Sequence, residues 1–512
     1  MHRLAPRPWL LLAATVAVVV ALIPLAYLAI RTVEAGWPAI RTELTNPRVA
    51  DLAARSLALA AVVTAGCVAL GVGTAFLVTR TDLPARRLFT ILAALPLAVP
   101  TYIAAFTWVS TITGFEGFWA SALVLTLCSY PYVFLPVAAA LHRADPAQEE
   151  VSRSLGRGAW TTFTSVTLPQ IRPAIAGGAL LVALYVLSDF GAVAILRTDT
   201  FTRAVFIAFD LGFDRTGALV LSTVLVALTV LLLAGETLSR RRGARYARVG
   251  AGARRPHSPA RLRALRWPAA AALTAVAALA FGVPAANLAR RLAAGVSRPG
   301  SLPEIATAAG NSLTVSLGGA ALTMLLALPI GLLAARAPGV LANGLERLSY
   351  LTHALPGIVI GLSLVFFGIN VAYPLYQSVW LLTFAYAALF LPLAVAAVAG
   401  AAAQAPPVLE EAARSLGRRP AAVFATVTLP LTLPGIAAGA AMVFLTCMKE
   451  LPATLLLRPT GMDTLATELW THTSVAAYAG AAPYAALLVL LSAIPTWVLA
   501  ARTGLLQQEG DQ

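Results

Sequence analysis

The sequence predicts an all-α polytopic membrane protein with about 12 transmembrane helices in two tandem six-helix halves. Three observations carry that expectation. Of 512 residues, 59% are hydrophobic and only 12% charged, with a mean hydropathy of +0.81; a soluble chain averages roughly 25% charged and about 45–50% apolar residues. Apolar runs long enough to cross a hydrocarbon core about 30 Å thick, which takes about 20 residues each, recur along the whole chain. A stretch of the first half also returns in the second at a constant offset. The longest hydrophilic segment, Ser239 to Arg266, has 28 residues, too few to bury a core.

In order, the runs lie at about 9–30, 55–79, 88–112, 118–142, 171–195 and 216–238, then at about 267–288, 311–336, 345–369, 377–401, 432–457 and 479–502. Proline interrupts several of them, at Pro96, Pro100, Pro136, Pro329, Pro356 and Pro392, which neighbouring helices tolerate in a membrane bundle. His2, Arg3 and Arg7 precede the first run as they would a signal peptide. Its apolar stretch of about 22 residues exceeds the roughly 7–15 of a cleaved signal, and no small-residue cleavage pattern follows, so a retained helix is expected. The domains read as residues 1–238, a first half; 239–266, an arginine-rich linker; and 267–512, a second half.

Orientation follows from the arginines. If the N-terminus is inside, 25 of the 36 fall on inner segments, ten of them between Arg240 and Arg266. That bias places both termini in the cytoplasm. The ten-arginine linker either rests on anionic head groups or is simply solvated. A formal charge of +15 spread between apolar runs is a membrane pattern and not a nucleic-acid patch. Cys67, Cys128 and Cys447 lie far apart inside apolar runs, and His2, His142, His257, His353 and His472 show no ligand spacing. Neither a disulfide framework nor a tight metal site is expected.

Shifting the sequence by 261 residues lays Glu149–Gly178 over Glu410–Gly439 with about half of the positions identical. Shared are the acidic pairs (149, 150 and 410, 411), Arg-Ser-Leu-Gly-Arg (153–157 and 414–418), Val-Thr-Leu-Pro (166–169 and 427–430) and a later proline (173 and 434). An even helix count per half makes the copies parallel, so a shared pathway runs between them.

The best-matched stretch is a loop between the fourth and fifth spans, about 145–170 and again 405–431. Asp145-Pro146 sets an N-cap acceptor before a first-turn proline, and Glu149 and Glu150 fall near the positive end of the helix dipole. Gly156 and Gly417 follow Arg-Ser-Leu where a left-handed C-terminal cap is expected. A second short helix then runs to Leu168-Pro169, or Leu429-Pro430, before the chain re-enters the bilayer. The expected product is a surface hairpin, charged on one side and apolar on the other. That is a docking element.

Glu411-Ala412-Ala413, three residues, Gly417, nine residues and Val427-Thr428-Leu429-Pro430 resemble the EAA signature of ATP-binding-cassette importer permeases. The first copy reads Glu150-Val151-Ser152, Gly156 and Val166-Thr167-Leu168-Pro169, departing at the two alanines; both copies carry valine for the usual isoleucine. The resemblance covers nearly the whole chain, and the stretches Tyr185 to Phe206 and Leu445 to Thr467 are similar to the ferric-iron branch of fused double permeases. Thiamine, polyamine and phosphonate permeases share the hairpin and stay as alternatives. The resemblance implies a type I importer fold in a bacterial inner membrane and assigns ATPase coupling to Glu149, Glu150, Arg153, Gly156, Glu410, Glu411, Arg414 and Gly417. It also implies two copies of a cytoplasmic ATPase that hold ATP and Mg, a periplasmic or lipid-anchored binding protein, and no cofactor on this chain.

Asp189 and Glu450 share the 261 offset on the spans that follow the hairpins, and Lys449, the one lysine, adjoins Glu450. Charge at bilayer depth costs about 2.5–3.5 kcal/mol on insertion scales and marks a cavity or bundle interior. Either the acids, with Lys449, line the outer route for a cation, or Lys449 pairs with Asp189 or Glu450 and pins the structure. Arg197 and Arg458 end these spans, as docking points for a binding protein or as interface anchors. No catalytic motif is present: H-E-x-x-H and G-x-S-x-G are absent, and the single lysine is followed by glutamate, so no P-loop exists. A six-plus-six secondary transporter is the stronger rival, but its loop signature belongs between helices two and three.

Overall fold

The structure is a computed structural model and describes residues 8–144, 146–243, 260–294, 301–337 and 339–502. Its helices are α1 (Pro8–Ala21), α2 (Ile23–Glu34), α3 (Gly36–Leu44), α4 (Pro47–Arg80), α5 (Arg86–Ala94), α6 (Thr101–Val109), α7 (Phe118–Ser129), α8 (Pro131–Arg143), α9 (Pro146–Ser154), α10 (Ala159–Thr162), α11 (Leu168–Ser188), α12 (Gly191–Ile195), α13 (Phe201–Phe206) and α14 (Arg215–Gly243). They continue as α15 (Arg266–Ala277), α16 (Val283–Ala294), α17 (Leu302–Arg336), α18 (Val340–Tyr350), α19 (Gly357–Asn370), α20 (Val379–Gln404), α21 (Pro407–Ser415), α22 (Pro420–Val423), α23 (Leu429–Met448), α24 (Pro452–Leu457), α25 (Leu465–Ser474) and α26 (Tyr478–Arg502). Among the described residues eight helical stretches are long and apolar enough to cross a membrane. Two bent pairs, α1 with α2 at 45° and α5 with α6 at 91°, and two shorter apolar helices, Gly357–Asn370 and Tyr478–Ser492, complete the set. Each of the twelve apolar runs falls on one of these.

Besides the bent first span, four spans differ from the straight helices that hydropathy suggests. The run at 88–112 turns sharply at Val99-Pro100, after a 3₁₀ turn at Leu95–Ala98. Pro96 and Pro100 donate no N–H, and Pro100 holds an extended ψ of 141° as the cap of α6. Pro356, with ψ 146°, does the same ahead of α19. The runs at 171–195 and 432–457 both break at their acids: Asp189 is extended between α11 and α12, and Glu450 lies between α23 and α24.

The chain also folds into two compact units that are not its sequence halves. One comprises Thr42–Phe213 and Val224–Gly295; the other comprises Met1–Arg41, Asp214–Thr223 and Val296–Gln512. The first span therefore belongs with the second repeat, where the Tyr27 ring meets Phe367 edge-on at 5.5 Å. The seventh belongs with the first repeat, where Arg291 Nη2 donates to the Ser110 carbonyl at 2.7 Å and Asn287 Nδ2 to Thr111 Oγ1 at 2.7 Å. Hydropathy reads span length and carries no partner, so the boundaries 1–238 and 267–512 describe the repeat and not the packed bodies. Most of the arginine linker lies outside the described residues; its end, Ala260, donates to the Arg80 carbonyl at 2.8 Å.

Small residues set the helix spacing within each unit, as expected where van der Waals packing replaces the hydrophobic drive. A Cβ on Gly71 of α4 would lie 2.8 Å from Val133 Cβ, and one on Gly178 of α11 2.8 Å from Val133 Cα, so both helices close on α8. In the other unit Gly331 of α17 approaches Val398 of α20 in the same way, at 2.7 Å.

Candidate functional site: two anchored hairpins and two capped breaks

Each hairpin begins with a nine-residue helix, α9 or α21. Asp145, the expected N-cap, lies outside the described residues; in the second copy Pro406 occupies that place and Pro407 starts the helix. Gly156 and Gly417 then take φ of +80° and +81°. The Gly156 N–H donates to the Arg153 carbonyl at 2.9 Å and the Arg157 N–H to the Ser152 carbonyl at 3.2 Å; Gly417 and Arg418 repeat this with Arg414 and Ala413 at 2.9 and 3.2 Å. These are Schellman C-caps, which need the left-handed region glycine enters freely.

The second arm corrects the sequence reading. It is not a separate short helix. α10 runs through a π-turn at Phe163–Thr167 directly into α11, and α22 through a π-turn at Phe424–Thr428 into α23. The Leu168 N–H donates to the Phe163 carbonyl, and Leu429 to Phe424. Pro169 and Pro430 follow with no N–H to close an ordinary turn, and a wider turn accommodates their rings. Hairpin and membrane helix are thus one rod.

The acidic pairs divide into two roles. Glu149 and Glu410 are buried, while Glu150 and Glu411 are exposed. Glu149 Oε1 accepts from Thr167 Oγ1 at 2.8 Å, and Glu410 Oε1 from Thr428 Oγ1 at 3.0 Å. Arg80 at the end of α4 lies 3.5 Å from Glu149, and Arg336 at the end of α17 lies 2.8 Å from Glu410. Arg153 and Arg414 turn back to the same carboxylates at 3.7 and 3.2 Å along their own helices. Of the eight residues expected to couple to the ATPase, Glu149 and Glu410 are thus buried within the hairpin corner, while Glu150 and Glu411 are exposed. Arg80, Arg336, Thr167 and Thr428, which the motif does not single out, complete the two clusters. They form two matching pairs: the threonines recur at the 261 offset, and each arginine ends the second span of its half. On the outer side Val151, Leu155 and Trp160, and Val408 and Leu416, are exposed apolar residues.

Asp189 and Glu450 are both capping groups. Asp189 Oδ2 accepts from Thr101 Oγ1 at 2.6 Å and Oδ1 from the N–H groups of Ala192 and Val193 at 3.0 and 3.4 Å. Glu450 accepts from Ala453 N–H at 2.9 Å and from Thr454 N–H and Oγ1 at 3.0 and 2.7 Å. Gly357, first residue of α19, comes so close that a Cβ there would lie 2.7 Å from Glu450 Oε1. Each carboxylate therefore sits where two helix starts converge, α6 with α12 and α19 with α24, and backbone N–H groups offset its charge. Lys449 is half-buried and ends α23. Arg197 is 71% exposed, with φ +53°, and lies 3.4 Å from Glu116; Arg458 turns to Asp463. Among the described residues no three His, Cys, Asp or Glu side chains converge on a metal-sized site.

Duplicated hairpins, each continuous with a membrane-spanning helix and each exposing apolar residues at its turn, define a membrane permease of the transporter class. The comparisons are more particular: residues 67–242 and 327–502 each match the family described as binding-protein-dependent transport system inner membrane component, and the chain belongs to that family. It is a multi-pass inner-membrane transport subunit. The chain is 40% identical over 480 residues, 93% of its length and 95% of the relative's, to the Fe(3+)-transport system permease protein FbpB 2 of Haemophilus influenzae. The sulfate transport system permease protein CysT of Escherichia coli is 29% identical over 44% of this chain and 88% of its own. The molybdenum transport system permease protein ModB of Mycobacterium bovis is 30% identical over 45% and 93%.

Proposed function

We propose that this chain is the membrane-spanning subunit of an ATP-driven importer of ferric iron. Its two hairpins receive two copies of a separate cytoplasmic ATPase, which holds ATP and Mg; no cofactor resides on this chain. The observation that carries the coupling is the pair of anchored hairpins, which expose Glu150, Leu155 and Trp160, and Glu411 and Leu416, on the side away from the bundle. The substrate rests on the Haemophilus relative, whose similarity spans both proteins almost entirely. In this reading both termini are cytoplasmic, in line with the arginine bias, and the binding protein, periplasmic or lipid-anchored, meets the opposite face near Arg197 and Arg458. Asp189 and Glu450 hold the breaks between α11 and α12 and between α23 and α24, and so shape the route without ligating cargo.

Co-reconstitution in proteoliposomes with the ATPase and the ferric-loaded binding protein tests this. ATP-dependent accumulation of radioactive ferric iron, absent with sulfate, molybdate, thiamine, polyamine or phosphonate systems' cargo, is the expected result. Accumulation without any ATPase, or of another cargo only, overturns it.

A further inference from the structure

The corner where each hairpin meets the bundle is built around one arginine, buried at Arg80 and half-buried at Arg336. Arg80 Nη2 donates to the Leu141 carbonyl at 2.9 Å, at the end of α8, and lies beside Glu149 of α9. Glu149 in turn takes the Thr167 hydroxyl at the foot of α11. Arg336 Nη1 donates to the Ala405 carbonyl at 2.9 Å, at the end of α20, and its Nη2 lies beside Glu410 of α21, which takes the Thr428 hydroxyl. The side chains are only 5% exposed in the first pair and 16% and 11% in the second. Each cluster therefore joins four segments: a long second-span helix, the end of the next long helix, the first arm of the hairpin and the base of the rod that carries its second arm.

We infer that Arg80 and Arg336 are positioning residues that lock each hairpin to three membrane helices, so that a displacement of the hairpin moves those helices together. The inference rests on the hairpins being the ATPase docking elements, and goes beyond it by naming what converts docking into movement. A planar guanidinium fits because it brings a carbonyl and a carboxylate together, Arg336 through Nη1 and Nη2 and Arg80 through Nη2 alone, and its rigid plane holds both in place where a flexible ammonium does not. Burial removes solvent competition and strengthens each of these contacts. Without the arginine, α9 keeps the Glu149–Thr167 hydrogen bond to the base of α11 but loses its tie to α4 and the end of α8, and a push at the hairpin is no longer passed to those two helices. The two arginines lie outside the stretch that matches at offset 261, since they are 256 apart, yet both make the same pair of contacts.

The test uses the full transporter with its ATPase and ferric-loaded binding protein. Arg80→Gln with Arg336→Gln is expected to co-purify with the ATPase at wild-type stoichiometry and keep basal ATP hydrolysis. Iron transported per ATP is expected to fall by at least about tenfold, within the range of site-to-site coupling. Arg80→Lys with Arg336→Lys keeps the charge but not the fork, and an intermediate loss of about threefold is expected. Normal coupling in the Gln variant, or wild-type coupling in the Lys variant where the Gln variant does not accumulate, overturns the inference. Loss of ATPase co-purification at normal permease levels also overturns it, making the arginines part of the docking surface. Failure of the docking reading is separate: wild-type permease then binds no ATPase at all.

Discussion

Neutralising Asp189 and Glu450 separates capping from cargo handling. Hydrogen bonds to a charged acceptor are worth about 1.5–3 kcal/mol and neutral ones about 0.5–1.5. Asp189→Asn keeps an acceptor for the Ala192 N–H at 3.0 Å and a partner for Thr101 at 2.6 Å, so the expected loss is about 1 kcal/mol per well-formed bond, roughly 2 in all. Glu450→Gln has three such bonds, at 2.9, 3.0 and 2.7 Å, and loses about 3. Asp189→Ala strands two amides and a hydroxyl at about 1–3 kcal/mol each, which costs about 3–9 and strips the start of α12. Thermal unfolding of the purified protein reads these differences, and iron uptake per inserted molecule reads function. The capping account expects the Asn and Gln variants to transport, at a rate that tracks their stability. Gly357→Ala supplies a control that keeps the charge: its Cβ would lie 2.7 Å from Glu450 Oε1, so it should displace the cap and resemble Glu450→Gln. Wild-type unfolding together with abolished uptake in Asp189→Asn would refute capping, because only the charge would then matter.

At Gly156 and Gly417 a Cβ meets nothing within 4 Å, so substitution costs only left-handed backbone strain, about 1–2 kcal/mol for most residues. Asn there should retain ATPase binding and Val should lose it, as measured by co-purification. Pro169→Ala with Pro430→Ala restores an N–H at the π-turns; rewinding them to regular helix turns the hairpins relative to their membrane helices, and transport should fall while the unfolding temperature holds. Leu155→Ser with Leu416→Ser, at side chains exposed by 72% and 82%, should weaken ATPase binding and leave permease stability unchanged within about 0.5 kcal/mol.

Much of the fold was legible because its cause is local. Span length is a hydropathy property, and the cap glycines at 156 and 417 carry their own conformational requirement. The twelve runs and the two turns accordingly fall where the sequence places them. What was not legible depends on partners. Nothing in residues 9–30 says that they belong with the second repeat, since one apolar face packs as well as another in lipid. Hydropathy alone places Asp189 and Glu450 as charged positions in straight helices, not at breaks. An acid followed by three or four residues whose amides bond back to it is an N-cap signature, but hydropathy hides it because Gly191-Ala192-Val193 and Leu451-Pro452-Ala453 are apolar. Likewise Glu149 and Glu150 are identical in type and differ only in helix face, and a 100° step decides that one is buried and the other free.

The first hairpin's departure from the alanine pattern has a physical account within the hairpin itself. Ser152 Oγ and Thr162 Oγ1 lie 3.1 Å apart, both buried. At the positions equivalent by the 261 offset the second copy has Ala413 and Val423, also buried, at 8% and 2% exposure. Each copy therefore fills the space between its arms with a matched set, one hydrogen-bonded and one apolar. A matched exchange should be nearly neutral and a half exchange should not, because the cost lies in the unpaired hydroxyl and not in the lost bond. Ser152→Ala alone leaves Thr162 stranded, at about 1–3 kcal/mol; adding Thr162→Val, which keeps the shape, should recover most of it, for a coupling energy of about 1–2 kcal/mol in the double-mutant cycle. Unfolding of the purified permease measures all three variants. Strictly additive costs would mean that the two hydroxyls do not depend on each other, and that the serine of the first copy stands there for a reason outside the hairpin's interior.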